Sequence, residues 1–348
     1  MNPSDDTRAW PPVSVVMPVR SEERHLAAAV RCALDQAYPG EVEVVVAVGP
    51  SRDRTQQIAA DLAARDARVR WVSNPSGATA AALNLAVAAA HHPIIARVDG
   101  HAILPPDYLR VAVGTLADTG ADNVGGVMAA EGITPLEQAI ARAMTSSFGV
   151  GHAPFHTGGR PGPADSVYLG VFLRRALERV GGFDERFVRA QDWETNHRIR
   201  QTGGTVWFTP RLRVAYRPRS SLRALTRQYF DYGRWRHVVA RRHRTVTSRY
   251  LAPPTAVVFM VAGVVAALAG FPLGLAAPGT YVVTVLGASA WTGRRLPPRA
   301  LVWLPVVYAT MHCCWGVGFL VSPPHLGFRA KAPGDPEQRG ERPAKESP

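Results

Sequence analysis

The chain has 348 residues, 47% of them hydrophobic, and a formal net charge of +13, which is length enough for one large core or for a soluble domain with a smaller appendage. Lysine occurs only at Lys331 and Lys345, so the positive balance rests on arginine and its placement matters more than its total. Residues 1–210 carry 20 Arg against 22 acidic residues, whereas residues 211–249 carry 12 Arg against Asp231 alone and directly precede a long apolar region. Basic charge set against apolar spans favours a membrane with anionic lipids as its partner and disfavours nucleic acid. Cys32, Cys313 and Cys314 form neither a disulfide framework nor a zinc spacing. The N-terminus lacks the apolar run of a signal peptide, so the soluble part is expected in the cytosol.

Val13 to Val19 reads as a first buried strand, followed by polar Arg20-Ser21-Glu22-Glu23 and a helical pattern to about Gln36. A second strand covers 42–48 and ends in the turn Gly49-Pro50-Ser51. A helix to Ala64, a short strand at 69–72, the turn Asn74-Pro75-Ser76-Gly77 and an Ala-rich helix over 78–90 come next. A strand at 94–98 completes four alternations of strand and helix, which implies a mostly parallel sheet covered by helices on both faces. Ligands of such sheets bind beyond the carboxyl ends of the strands, where Arg20, Ser51 and Asp99 fall.

From 103 to 210 the pattern loosens: a helix after Pro106, a strand near 124–128, and a Gly/Pro-rich loop at 157–163 that reads equally as a mobile lid or as a solvated connection. A helix ends near Val180, and another contains Gln191-Asp192-Trp193-Glu194. Residues 255–291 are 37 positions without a charged side chain, broken by Pro272 and Pro278, which suits two short spans with a turn. Arg294, Arg295 and Arg299 interrupt, and 300–321 give 22 more uncharged positions. The expected layout is a domain over 1–230, a basic juxtamembrane segment over 231–252, transmembrane helices over 253–321 with three spans or two, and a disordered tail over 322–348. The arginine-bearing loop puts the catalytic side in the cytoplasm of a multi-pass protein of the cell membrane.

Asp99 and His101 alternate on one face of an expected extended segment, with Gly100 leaving room for a ligand between them. One carboxylate and one imidazole cannot fill the coordination shell of Mg²⁺ or Mn²⁺, so phosphate oxygens and water must supply the rest. Taken alone, a strand-end Asp beside a His is more often an ordinary hydrogen-bonded turn.

The stretch Val15 to Glu23, then Ser51-Arg52-Asp53-Arg54-Thr55, Gly77 with Asn84, Asp99-Gly100-His101, Gly181-Gly182-Phe183-Asp184-Glu185 and Gln191-Asp192 resembles family 2 glycosyltransferases over about residues 13–235. It is most similar to the membrane-attached branch of the succinoglycan-biosynthesis type. The resemblance implies a GT-A nucleotide-sugar-binding fold followed by transmembrane helices, and an inverting transfer from a nucleotide sugar to a lipid-linked or cell-surface glycan. It makes Asp99, with His101 where many relatives carry a second Asp, the holder of a divalent cation, Mg²⁺ or Mn²⁺. Pro18, Arg20, Glu22, Asp53, Asn84 and Arg97 fall on the nucleotide-sugar side. Asp192 takes the place of the catalytic base, with Glu194 the alternative, while Asp184 and Glu185 read as a structural turn. Gln228, Arg234 and Trp235 are reminiscent of the Gln…Arg-Trp motif of processive relatives at longer spacing, and place themselves on the acceptor or membrane side. Relatives carry an acid near Val48 or Gly49 where this chain has none. That departure motivates a competing reading as a non-catalytic membrane scaffold that keeps the nucleotide-binding fold.

Overall fold

The computed structural model describes residues 9–327. Its elements are β1 (Val13–Val19), α1 (Leu26–Leu34), β2 (Val42–Val48), α2 (Thr55–Arg65), β3 (Val69–Ser73), α3 (Thr79–Ala89), β4 (Ile94–Arg97), α4 (Tyr108–Thr119), β5 (Asn123–Ala130), α5 (Pro135–Met144), α6 (Ser147–Val150), α7 (Pro154–Thr157), β6 (Gly162–Pro163), β7 (Tyr168–Leu173), α8 (Arg174–Arg179), α9 (Gln191–Gln201) and β8 (Val206–Tyr216). Beyond these lie α10 (Leu222–His243), α11 (Ser248–Leu268), a 3₁₀ turn at Pro272–Leu275, α12 (Ala276–Thr292), α13 (Pro298–Leu301) and α14 (Leu304–Leu320).

The strands form one sheet in the order β3-β2-β1-β4-β7-β5-β8-β6. The first four are parallel, as the alternation implied. The remainder is mixed: β7 runs antiparallel to both β4 and β5, β8 is parallel to β5, and β6 is antiparallel to β8. β2 is buried at every position and β1 at all but Pro18, because helices cover both faces. Val13, Val15 and Met17 pack with Leu26, Val30 and Leu109, while Val16, Val45 and Ile95 pack with Ala80, Leu83 and Ala86 of α3. Each such side chain contributes about 1.5–3 kcal/mol for its full burial.

The expected loop at 157–163 ends in the sheet, since Gly162 and Pro163 pair with Phe208 and Trp207. The basic segment holds two elements: the strand β8, whose Arg211 and Arg213 face out while Leu212 and Val214 face in, and the single helix α10. Ser221 caps α10, its hydroxyl accepting from the Ala224 amide at 3.3 Å. Three helical stretches, Arg249–Leu268, Pro272–Thr292 and Pro298–Leu320, are long and apolar enough to cross a membrane.

Glu43 is a buried acid at the amino edge of the sheet. The Ser14 hydroxyl and the His91 amide each donate to it at 2.6 Å, and Arg70 pairs with it at 2.9 Å. Burial alone would raise its pKa, but these partners outweigh burial and hold it below the ordinary 4.5. A depressed carboxylate contributes stability above its unfolded pKa and loses it as pH falls through the folded value. Glu43→Gln is therefore expected to destabilise the protein by about 1–3 kcal/mol at neutral pH. The gap from the parent should close on acidification, as read by thermal unfolding in detergent across pH.

Candidate active site

The loops after β1 and β2 are tied together at the carboxyl edge. Ser21 is held at φ 55°, and its amide donates to Ser51 Oγ at 3.0 Å, while Arg20 Nε donates to the Pro50 carbonyl at 3.2 Å. The Glu22 amide donates to Thr55 Oγ1 at 2.7 Å and the Glu23 amide to Asp53 Oδ2 at 3.3 Å. Asp53 also accepts from the Thr55 hydroxyl and amide, at 2.6 and 3.1 Å. Burial opposes the charge of Asp53, yet these hydrogen bonds leave its pKa below the usual 3.8. A side chain at Gly49 would start 3.3 Å from the Gly77 Cα and 3.5 Å from the Val19 carbonyl oxygen, so a larger residue there needs Gly77 to give by a few tenths of an ångström.

Arg97, at the end of β4, is the hub. It is only 7% exposed; its Nη2 donates to Asp99 Oδ1 at 3.1 Å and its Nη1 to Asp192 Oδ1. Two acids far apart in the chain, Asp99 and Asp192, both singled out as chemistry-bearing, thus meet on one guanidinium. Asp192 lies in the first turn of α9, where the helix dipole favours an anion. The turn is entered through Ala190 at φ 60°, a left-handed conformation that costs a non-glycine residue about 1–2 kcal/mol.

The extended geometry expected for Asp99 to His101 is not observed. The Ala102 amide donates to the Asp99 carbonyl at 2.9 Å and closes a turn, and Gly100 is packed so that a Cβ would lie 2.5 Å from Val19 Cγ1. The turn directs the His101 ring to Glu22, with Nδ1 2.9 Å from Oε1. That hydrogen bond raises the His101 pKa against its partial burial; the Glu22 and Asp99 charges add to the rise, and Arg219 opposes it.

The family model described as glycosyl transferase family 2 matches residues 14–181. The succinoglycan biosynthesis protein ExoA of Rhizobium meliloti is 32% identical over 309 residues, which is 88% of this chain and 93% of that one. This chain belongs to glycosyltransferase family 2. Glycosyltransferase AglE of Haloferax volcanii is 30% identical over 122 residues, 34% of this chain and 40% of its own. Among solved structures, the mannosyltransferase PcManGT from Pyrobaculum calidifontis, in complex with GDP-Man and Mn²⁺, aligns with a TM-score of 0.59 at 20% identity over 90% of this chain and 88% of that one, which shows the fold.

Within this glycosyltransferase, other expected site residues hold the frame. Asn84 clasps the Phe183 backbone from both sides, at 2.8 Å to its carbonyl and 2.8 Å from its amide, and donates to Glu185 at 3.0 Å. Asp184 pairs with Arg186 at 2.8 Å and Arg242 at 3.5 Å, as suits a structural turn. Glu194 is buried and bound twice by Arg198 at 2.7 Å, which keeps it from acting as a free base. Trp235 is buried with Phe187, Val238 and Val239, and Arg234 lies over the Phe230 ring at 5.8 Å. Gln228 is buried on α10 and donates to Tyr216 at 3.2 Å and Tyr232 at 2.8 Å. Sequence reading missed Tyr168, whose ionisation is suppressed by burial and by the Asp99 charge, and Tyr216 at the end of β8. The alternation of β8 was the available signal for Tyr216; Tyr168 had none, since β7 is antiparallel to its neighbours.

A family 2 enzyme implies a divalent cation. Among the described residues no group of three His, Cys, Asp or Glu side chains is arranged to hold one. The donor chemistry nevertheless fits a site of one carboxylate, Asp99, completed by the diphosphate of the donor. The hard oxygen stands at the strand end, and Arg97 shows that positive charge is held there.

Asn84→Ala is expected to lower stability by about 1–3 kcal/mol, because it leaves the Phe183 amide and carbonyl unpaired. A thermal shift unchanged from the parent would show that the clasp is dispensable.

Proposed function

We propose that the chain is an inverting glycosyltransferase of polysaccharide biosynthesis, which moves a sugar from a nucleotide-sugar donor to a hydroxyl of a lipid-linked or cell-surface glycan. The observation that carries this reading is the meeting of Asp99 and Asp192 on Arg97 at the carboxyl edge of the sheet. The similarity to a succinoglycan biosynthesis protein supports a glycan product, and the fold shared with a mannosyltransferase bound to GDP-Man and Mn²⁺ supports a sugar nucleotide with a divalent cation.

An alcohol is a weak nucleophile near neutral pH, so a carboxylate must accept its proton as the bond to the anomeric carbon forms. Asp192 takes that proton. Arg97 keeps it aimed at the carboxyl edge of the sheet until the acceptor hydroxyl shares its oxygens. A single displacement inverts the anomeric centre and needs no second nucleophile. Asp99 would hold the cation, which when bound would supply positive charge for the departing diphosphate. Arg20, Glu22 and the Asp53 turn shape the nucleotide side, with His101 buttressing Glu22. The arginines of α10 and of the loop at 294–299 support a catalytic domain on the cytoplasmic face, against anionic lipids.

The test is a screen of UDP- and GDP-sugars with Mn²⁺ or Mg²⁺ for binding and turnover by the full chain in detergent. Asp192→Asn is expected to lower transfer by about 10²–10⁴-fold. Asp99→Ala should abolish its metal dependence, while Glu194→Gln, once its folding is verified, should leave transfer far less affected than Asp192→Asn. Undiminished transfer in both Asp192→Asn and Asp99→Ala would overturn the site assignment. Failure to bind any sugar nucleotide would return the scaffold reading.

A further inference from the structure

The apolar C-terminal helices differ in how they meet the catalytic domain. α14 touches the domain along its whole length. Leu304, Val307, Tyr308 and Met311 are fully buried against Ala139, Ile140, Ala143 and Met144 of α5. His312 Nε2 lies 2.8 Å from the Phe148 carbonyl, and Gly318 abuts the Phe230 backbone of α10 so closely that a Cβ would sit 2.1 Å from its oxygen. Past the helix end, Ser322 donates to the Arg234 carbonyl at 3.0 Å and Arg241 to the Leu326 carbonyl at 3.2 Å. Both ends of α14 therefore lie on the domain's side. Its outward face carries the exposed apolar side chains Val306, Val317 and Leu320, with Val302 and Val321 exposed just beyond its two ends.

α11 and α12 do leave the domain, but not far. α11 starts where Arg249 donates to the His152 carbonyl at 2.7 Å, and Pro253 and Val257 still abut Gly316 of α14. Its remainder, Val258 to Leu268, rises about 16 Å. α12 returns to bury Val285 and Ser289 and to accept from Arg142 at the Thr292 carbonyl at 2.6 Å. Taken with the 3₁₀ turn before it, this stretch of 21 residues would rise about 32 Å, but the part free of the domain, Pro272 to Thr284, rises only about 20 Å. The hydrocarbon core of a bilayer is about 30 Å thick, and one leaflet of it about half that.

The tip between the two helices is Ala269-Gly270-Phe271-Pro272-Leu273-Gly274-Leu275, with no polar side chain to meet water on a far side. Leu268, Phe271 and Leu273 are 83%, 69% and 88% exposed. The tip satisfies its own backbone: Gly270, Phe271, Gly274 and Ala276 donate to the carbonyls of Ala267, Ala266, Phe271 and Leu273. Non-helical backbone that closes its own hydrogen bonds is what a hydrocarbon environment demands. Trp291, stacked under Arg294 at 4.5 Å, marks the headgroup level beside exposed Arg295 and Arg299.

We propose that the chain is held by one face of the bilayer: α11 and α12 form a re-entrant hairpin whose apolar tip ends within the hydrocarbon, and α14 lies along the interface between lipid and the catalytic domain. The occupant of this exposed apolar surface is a single bilayer face, and the chain reaches the opposite aqueous side nowhere between Arg249 and Gly327. This attachment is independent of the reaction assigned above.

The experiment is cysteine labelling with a membrane-impermeant maleimide, on sealed vesicles of each orientation carrying the full chain, with the unsubstituted protein as background. Asp61→Cys reports the domain face, Leu273→Cys the hairpin tip and His325→Cys the end of α14. Asp61→Cys and His325→Cys are expected to label from the same face, and Leu273→Cys from neither until detergent is added. Labelling of Leu273→Cys from the face opposite Asp61→Cys shows a crossing hairpin, and labelling from the domain face shows no insertion; either overturns the proposal. Labelling of His325→Cys from the opposite face overturns the placement of α14.

Discussion

A guanidinium buried between two carboxylates sets the terms for the rest of the active-site edge. Taking Arg97 out of water is tolerable because Asp99 and Asp192 both accept from it, and removing both acids would leave a buried charge without a partner. The two acids in turn come from opposite halves of the chain, one from the end of the central parallel strand β4 and one from the first turn of α9. The strained Ala190 and the Asn84 clasp on the Gly182-Phe183 turn hold α9 where this meeting happens. Counted as ions, the trio carries one more negative than positive charge.

The parallel half of the sheet was legible because its strands are buried on both faces and read as unbroken Val-rich runs, each followed by a helix pattern. The antiparallel half was not. β7 carries a glycine and a left-handed Leu169, and β8 places Pro210 and outward arginines within a strand that shares its stretch with a basic segment. In the site, order along the chain pointed to Asp99 and Asp192, but nothing in local spacing shows that Arg97 joins them. The turn at Gly100 escaped notice because alternation assumes that the strand continues past its last hydrogen bond. The Val19 side chain, which leaves no room for a Cβ at Gly100, is a tertiary fact.

α14 illustrates a different limit. A helix that buries one face under protein and turns the other to lipid is apolar all round, and by composition it is the same as a helix that crosses a bilayer. Only the partners of its two ends distinguish the cases, and here both ends return to the catalytic domain. The charge-free run of α11 and α12 is ambiguous in the same way until the length free of the domain is set against the thickness of the hydrocarbon.

These layers form one continuous stack. α14 meets α10 through backbone contact at Gly233 and Gly318, which only glycine permits. α10 meets α9 through Arg236, which lies over the Trp193 ring at 5.1 Å, and meets the segment before α9 through Trp235, buried with Phe187. Trp193 follows Asp192 directly. The carboxylate read as the base is thus separated from the lipid-facing helix by two close-packed interfaces with no flexible linker between them. Such packing transmits position rather than signal. In the proposed attachment to one bilayer face, this packing holds Asp192 at a fixed height above the lipid.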